Sequence, residues 1–220
     1  MKFANFAKLL SSFFFVLFIT GCATKVPYDY TAFKESRPKS ILVLPPVNNT
    51  PETAASHSVL SYATRPLAEA GYYVFPVTLV SEAFKENGMT QPSDMHSTSP
   101  GKLREIFGAD AALYITISKY GTTYQVINSE SVVSAQANLI DLRTGKTLWS
   151  GSAQASSAEG ESQQQGGLAM LLISAIVKQV VASSFDKSHQ IAGVATNRLL
   201  SAGQKNGLLF GPRSPSYGKD

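Results

Sequence analysis

The chain's single thiol, Cys22, stands directly after a short apolar segment, and no other residue has its chemistry so tightly framed by position. A lone cysteine cannot form a disulfide within the chain. The other groups that could do chemistry are dispersed. His57, His96 and His189 lie far apart, and none falls in a metal-ligand spacing such as H-E-x-x-H. Serines are abundant, yet none occupies a G-x-S-x-G elbow, and the glycines form neither a phosphate loop nor a dinucleotide fingerprint. Asp94 and His96 could belong to a site, but both fall in a polar stretch where solvated side chains are the default. Asp141 and Arg143 flank a turn, where local hydrogen bonding is the more natural role. No catalytic residue, metal ligand or cofactor site is expected, and the sequence points away from an enzyme.

The surroundings of Cys22 give the thiol a different use. Met1 to Ala7 carries Lys2 and no acid, Lys8 follows, and Leu9 to Ile19 is almost wholly apolar. A basic end followed by an apolar core too short to span a bilayer is the layout of a secretory signal. Its closing residues, Ile19-Thr20-Gly21-Cys22, resemble a bacterial lipobox. That resemblance implies cleavage after Gly21, diacylglycerol on the Cys22 thiol and acylation of the new amine, which leaves no free thiol nucleophile. The competing reading is a soluble secreted protein with an incidental Cys22. A three-chain anchor would exceed the two-signal threshold for stable attachment, at ~0.8 kcal/mol per buried CH₂. Ala23, in place of aspartate, resembles cargo released to the outer membrane.

Loss of residues 1–21 leaves 199 of 220 residues, one moderate domain with flexible ends. It also removes Lys2 and Lys8, so the formal charge falls from +4 to +2. The remaining Lys and Arg are scattered, with no run to track a phosphate backbone, so no nucleic-acid partner is expected.

Periodicity outlines the elements. Residues 22–39, with Pro27 and Pro38 and no regular period, read as a lipidated tether. Tyr28, Tyr30 and Phe33 are unusual there; they could dock on the domain, contact a partner or sit in a semi-ordered arm. Ile41-Leu42-Val43-Leu44, stopped by Pro45-Pro46, has the pattern of a strand buried on both faces. Thr50-Pro51-Glu52 reads as the start of a helix running towards Ala70 and Gly71, with Pro66 predicting a kink or a fresh turn near Thr64. Tyr72–Phe75 is a second strand, Leu79–Glu86 a short helix and Asn87–Thr98 a polar loop. Ser99-Pro100 caps a helix that ends at Gly108. Ala111–Tyr120 and the Val133/Ala135/Ala137/Leu139 stretch alternate as half-buried strands. A turn through Asp141–Lys146, with Gly145 at positive φ, returns Thr147–Ala153 as their partner.

Ser150–Gly167 is a frayed strand end or a loop. Leu168–Phe185 is strongly apolar but holds Lys178, and its uninterrupted run falls short of the ~20 residues of a membrane span. Two of its helical faces are apolar, so it is either central in the core or covered by another subunit. Leu168, Leu172, Ile173 and Val177 are therefore candidate interaction residues, in a partner contact or a homo-oligomer. Ile191–Leu200 continues as helix. The resulting scheme is an α/β single domain, residues 40–204, whose mixed β-sheet is packed by helices, followed by a tail at 205–220.

Several segments resemble one family in combination: V-L-P-P-x-N-x-T at Val43–Thr50, R-P-L-A-E-A-G-Y-Y-V-F-P-V at Arg65–Val77, G-A-D-A-A-L-Y at Gly108–Tyr114, D-L-R-T-G-K-T-L-W at Asp141–Trp149, and G-P-R-S-P at Gly211–Pro215. It is the family of bacterial lipoproteins typified by a neisserial surface-lipoprotein vaccine candidate. The resemblance implies a TolB N-terminal-like fold, also found in the peptidoglycan-synthase activator LpoB and the curli secretion channel CsgG. It implies a lipid-anchored, periplasm-facing outer-membrane protein, with a CsgG-like lipoprotein or other envelope protein as partner. The alternative it implies is a lipoprotein that binds peptidoglycan or regulates its synthase. No catalytic residue carries over, and Asn48 with Pro45 and Pro46 reads as turn and strand-end chemistry.

Overall fold

The computed structural model describes residues 28–124, 129–160 and 187–219. The sheet grows from the aliphatic run. Strand β1 (Ser40–Val43) pairs in parallel with β3 (Tyr73–Val74) on one side and with β4 (Ala111–Tyr124) on the other. The two-residue β2 (Val47–Asn48) pairs with β4 further along, after Pro45-Pro46 has ended β1. The antiparallel strands β5 (Ser129–Asp141) and β6 (Thr147–Ser156) complete a six-stranded sheet of order β3-β1-β4-β5-β6. This is the mixed α/β sheet the alternation predicted.

Each face of β1 feeds a different core. Ile41 and Val43 join the larger cluster, with Leu113, Ile115, Ile117, Leu139 and Trp149. Leu42 and Leu44 join a smaller one built on Val80, Phe84, Met95 and Leu103. The larger cluster is covered by α2 (Ala55–Glu69) and α6 (Lys187–Leu200), the smaller by α3 (Val77–Glu86), α4 (Pro92–Ser97) and α5 (Pro100–Phe107). A register shift between Ile117 and Lys119 changes the parity of β4, so Tyr120 follows odd-numbered Ile117 onto the buried side.

Four expectations need correction. The helix anticipated at Pro51 begins at Ala55, because Asn48 builds a turn first: its Oδ1 accepts from the Thr50 N–H and hydroxyl, and its amide donates to the Glu52 carbonyl. Pro66 starts no new helix; it lies near the end of α2, with its ring buried, so few hydrogen bonds depend on it. The polar stretch Asn87–Thr98 contains α4, whose Met95 fills the smaller core. Residues 28–39, read as tether, are packed on the domain and contain α1 (Thr31–Ser36), with Phe33 buried.

The tail also packs. The Gly211 N–H donates to the Ala70 carbonyl and the Arg213 N–H to the Gly71 carbonyl. Gly71 has φ +95°, and a Cβ on Gly211 would fall 2.8 Å from the Gly71 backbone. Two of the family-like motifs thus meet at a crossing that only glycines admit. Among the described residues no helix is long and apolar enough to cross a membrane. The apolar stretch with Leu168, Leu172, Ile173 and Val177 lies outside them, as do Gly21 and Cys22.

Candidate functional site

The chemistry-bearing side chains are brought together in few places. Asp141 is almost fully buried, and its Oδ1 accepts from the Arg143 N–H, the Thr144 N–H and the Thr144 hydroxyl. Its Oδ2 accepts from the Ser36 hydroxyl at 2.5 Å. Burial alone would raise its pKa, but the hydrogen bonds from Ser36, Thr144 and Arg143 outweigh it and hold the carboxyl below the ordinary range. Local hydrogen bonding is therefore what Asp141 does: it ties α1 to the β5–β6 turn, where Gly145 takes φ +73°.

Asp94 and His96 do not form a site. Asp94 sits in the first turn of α4, and the His96 Nε2–H donates to the Pro45 carbonyl at 3.0 Å, edge-on to the Tyr114 ring. Burial pulls the His96 pKa down and pushes that of Tyr114 up. His189 Nδ1 lies 3.0 Å from Ser58 Oγ, which is 2.8 Å from the Tyr120 hydroxyl. A serine beside a histidine is the start of a nucleophile. Ser58, however, is only 5% exposed, and the trio links α2, β4 and α6 across the core. No group of three or more candidate metal ligands occurs among the described residues.

A more distinctive assembly is the one the sequence left open. The Tyr28 and Tyr30 rings lie 4.8 Å apart, and Tyr30 meets Phe33 edge-on at 6.4 Å. The Tyr28 hydroxyl accepts from the Ser150 N–H of β6 at 2.8 Å, and the Tyr30 hydroxyl donates to the Gly207 carbonyl at 2.5 Å. Trp149 donates its indole N–H to Asn206, the next carbonyl in that loop, at 3.0 Å. Asn206 has φ 60°, a left-handed conformation that asparagine tolerates better than most residues. The N-terminal arm, strand β6 and the 204–207 loop are thereby locked together. Beside them lies a polar groove of about 730 Å³, whose lining includes Tyr28, Asn138, Ser150, Ser152, Arg198 and Lys205. Arg198 holds Glu159 through two nitrogen–oxygen contacts, at 3.0 and 2.6 Å, and donates to the Gln154 carbonyl. Hydroxyls, amides and cations of this kind suit polar or anionic groups.

The closely spaced aromatics at 28, 30 and 33 were the only local sign of this assembly, because its other members come from distant segments. Comparison with known proteins fixes the family. A sequence model of the family described as "Putative lipoprotein GNA1162-like" matches residues 28–213. The chain belongs to the GNA1162-like lipoprotein family. Its similarity to "Putative lipoprotein NMB1124/NMB1162" of Neisseria meningitidis serogroup B is 49% identity over 200 residues, covering 90% of this chain and 92% of that one. The crystal structure of lipoprotein GNA1162 from Neisseria meningitidis matches at 50% identity with a TM-score of 0.54, covering 66% of this chain and 100% of that one. Like the family, this is a membrane-anchored lipoprotein.

Proposed function

We propose that the protein is a non-enzymatic outer-membrane lipoprotein, cleaved after Gly21, acylated on Cys22 and facing the periplasm, where it serves as a scaffold or accessory subunit of a CsgG-like secretion or assembly complex. The observation that carries the anchoring part is the docking of Tyr28 and Tyr30 onto the domain. It fixes Tyr28, six positions after the proposed acylated cysteine, on the domain, as suits a subunit held against a membrane assembly. The assembly partner rests on the sequence resemblance, and the apolar stretch bearing Leu168, Leu172, Ile173 and Val177 is the proposed contact, with a partner or with a second copy.

Three measurements test this. Metabolic labelling with a palmitate analogue should mark the wild type and miss Cys22→Ser; equal label in both would remove the anchor. Affinity purification from crosslinked cells should recover a CsgG-like lipoprotein. Recovery of a peptidoglycan synthase instead would move the protein to the regulatory reading. Ile173→Glu should lower the assembly mass of a folded domain; unfolding would assign that stretch to the core.

A further inference from the structure

We infer that the groove beside Tyr28 is the membrane-facing surface of the domain and rests on phospholipid headgroups. The inference depends on acylation at Cys22, and its physical basis is reach. Six Cα–Cα steps separate Cys22 from Tyr28. Even fully extended they span no more than about 20 Å, at 3.3–3.6 Å per residue. A domain of this size is about 40 Å across, from the usual scaling of radius with chain length. A leash half as long as the body cannot let the body turn over. Whatever surrounds Tyr28 must stay close to the bilayer.

The leash is also fixed at its protein end. The Tyr28 hydroxyl is held by the Ser150 N–H of β6 and the Tyr30 hydroxyl by Gly207, so Tyr28 is pinned at the rim of the groove. The lining suits a headgroup layer. It carries Lys205 and Arg198, the latter paired with Glu159 just outside the lining, together with serine hydroxyls, the Tyr28 hydroxyl and the amides of Gln136, Asn138, Gln204 and Asn206. Anionic lipid attracts a basic residue such as Lys205 held near it. Tyr28, partly exposed at the rim, is of a type enriched where membrane meets water. The helices α3 to α5 cover the same sheet face as Asn138 and Ser150 but pack over β1 and β4, displaced sideways from β6 and the groove.

Acylation consumes the only native thiol, so one introduced cysteine at a time can carry a fluorophore. The lipidated full chain would be reconstituted into vesicles of phosphatidylethanolamine and phosphatidylglycerol that contain a lipid with a nitroxide on its headgroup. Labels at Gln204→Cys and Ser152→Cys should lose most of their emission, and a label at Glu86→Cys on α3 should keep nearly all of it. A Gly/Ser insertion of about 20 residues after Thr24, with an r.m.s. span of roughly 25 Å, should abolish the difference. Equal emission at all three positions of the parent chain, or quenching strongest at Glu86→Cys, would overturn the orientation while leaving the anchor intact. Reactivity of Cys22 itself, with no protein on the vesicles, would overturn the anchor and the orientation together.

Discussion

The two faces of the β5–β6 ribbon differ as sharply as any two surfaces of the molecule, although they share the same backbone. On one face Val133, Ala135, Ala137, Leu139 and Trp149 are buried at 0–1% exposure beneath α6 and, at β6, α1. On the other, Gln136, Asn138, Ser150, Ser152 and Gln154 are exposed. The pleat sends successive side chains to opposite faces, so a period-two sequence writes both surfaces at once. Across the rest of the sheet the second face is covered too, and there the strand changes character: β1 is aliphatic on both sides. The reading for function is that the polar half of the ribbon is a surface meant to stay wet or to meet a polar layer.

The contrast is broken most severely by removing its largest member. Trp149→Ala should cost about 3–5 kcal/mol, the usual penalty for deleting a buried tryptophan. Asn138→Ala on the opposite face should stay within about 0.5 kcal/mol. Urea unfolding midpoints measure both, and equal losses would mean that the two faces have been misread. Gly151→Ala should follow, because a Cβ there would lie 2.1 Å from Cζ2 of the Trp149 ring, well inside any tolerated contact. Overpacking of this kind costs about 1–3 kcal/mol, and the near-ultraviolet dichroism of the displaced indole should change with it.

How far this was legible in the sequence follows from the range of the interactions. The strands, the Asp141–Gly145 turn and the Ser99 cap all came from local pattern, and the Ser99 hydroxyl does accept from the Lys102 N–H. Helix α4 did not, since six residues with a single buried methionine carry no period. The start of α2 was misplaced because Pro51 matches a helix start, while the side chain of Asn48 decides the matter from outside the segment. The docked arm was beyond local reasoning: Tyr28 and Tyr30 find partners 122 and 177 residues away. The same holds for the groove, whose lining comes from the arm, β5, β6, α6 and the loop after it. The lipobox at Ile19–Cys22, on which the proposed anchor rests, lies at the other extreme as a purely local motif outside the described residues.

The arm tests whether the inner face extends to the N-terminus. Tyr30→Phe removes one hydroxyl and leaves the ring stack with Tyr28 and Phe33. It should cost about 1 kcal/mol, the net worth of a typical hydrogen bond, and raise amide exchange over Thr31–Ser36. Unchanged exchange there would mean that Phe33 alone holds the arm.

The smallest effect lies on the far face, at the edge of the smaller core. His96 is buried against Tyr114, and burial depresses its pKa below the ordinary 6.5 more than the hydrogen bond to the Pro45 carbonyl raises it. The folded state thus binds this proton less readily than the unfolded state. The contribution of neutral His96 is complete above about pH 6.5 and is lost as pH falls through its folded value. Asp141 works in a different window: its folded pKa lies below 3.8, so its contribution persists until the solution is more acidic than that. Between these limits, His96→Gln, whose amide can still donate to Pro45, should flatten the fall in stability that the wild type shows as the solution is acidified below about pH 6.5. Parallel pH profiles of the urea midpoint for the two proteins would show that α4 contributes no proton-linked stability, and that the second face is held by packing alone.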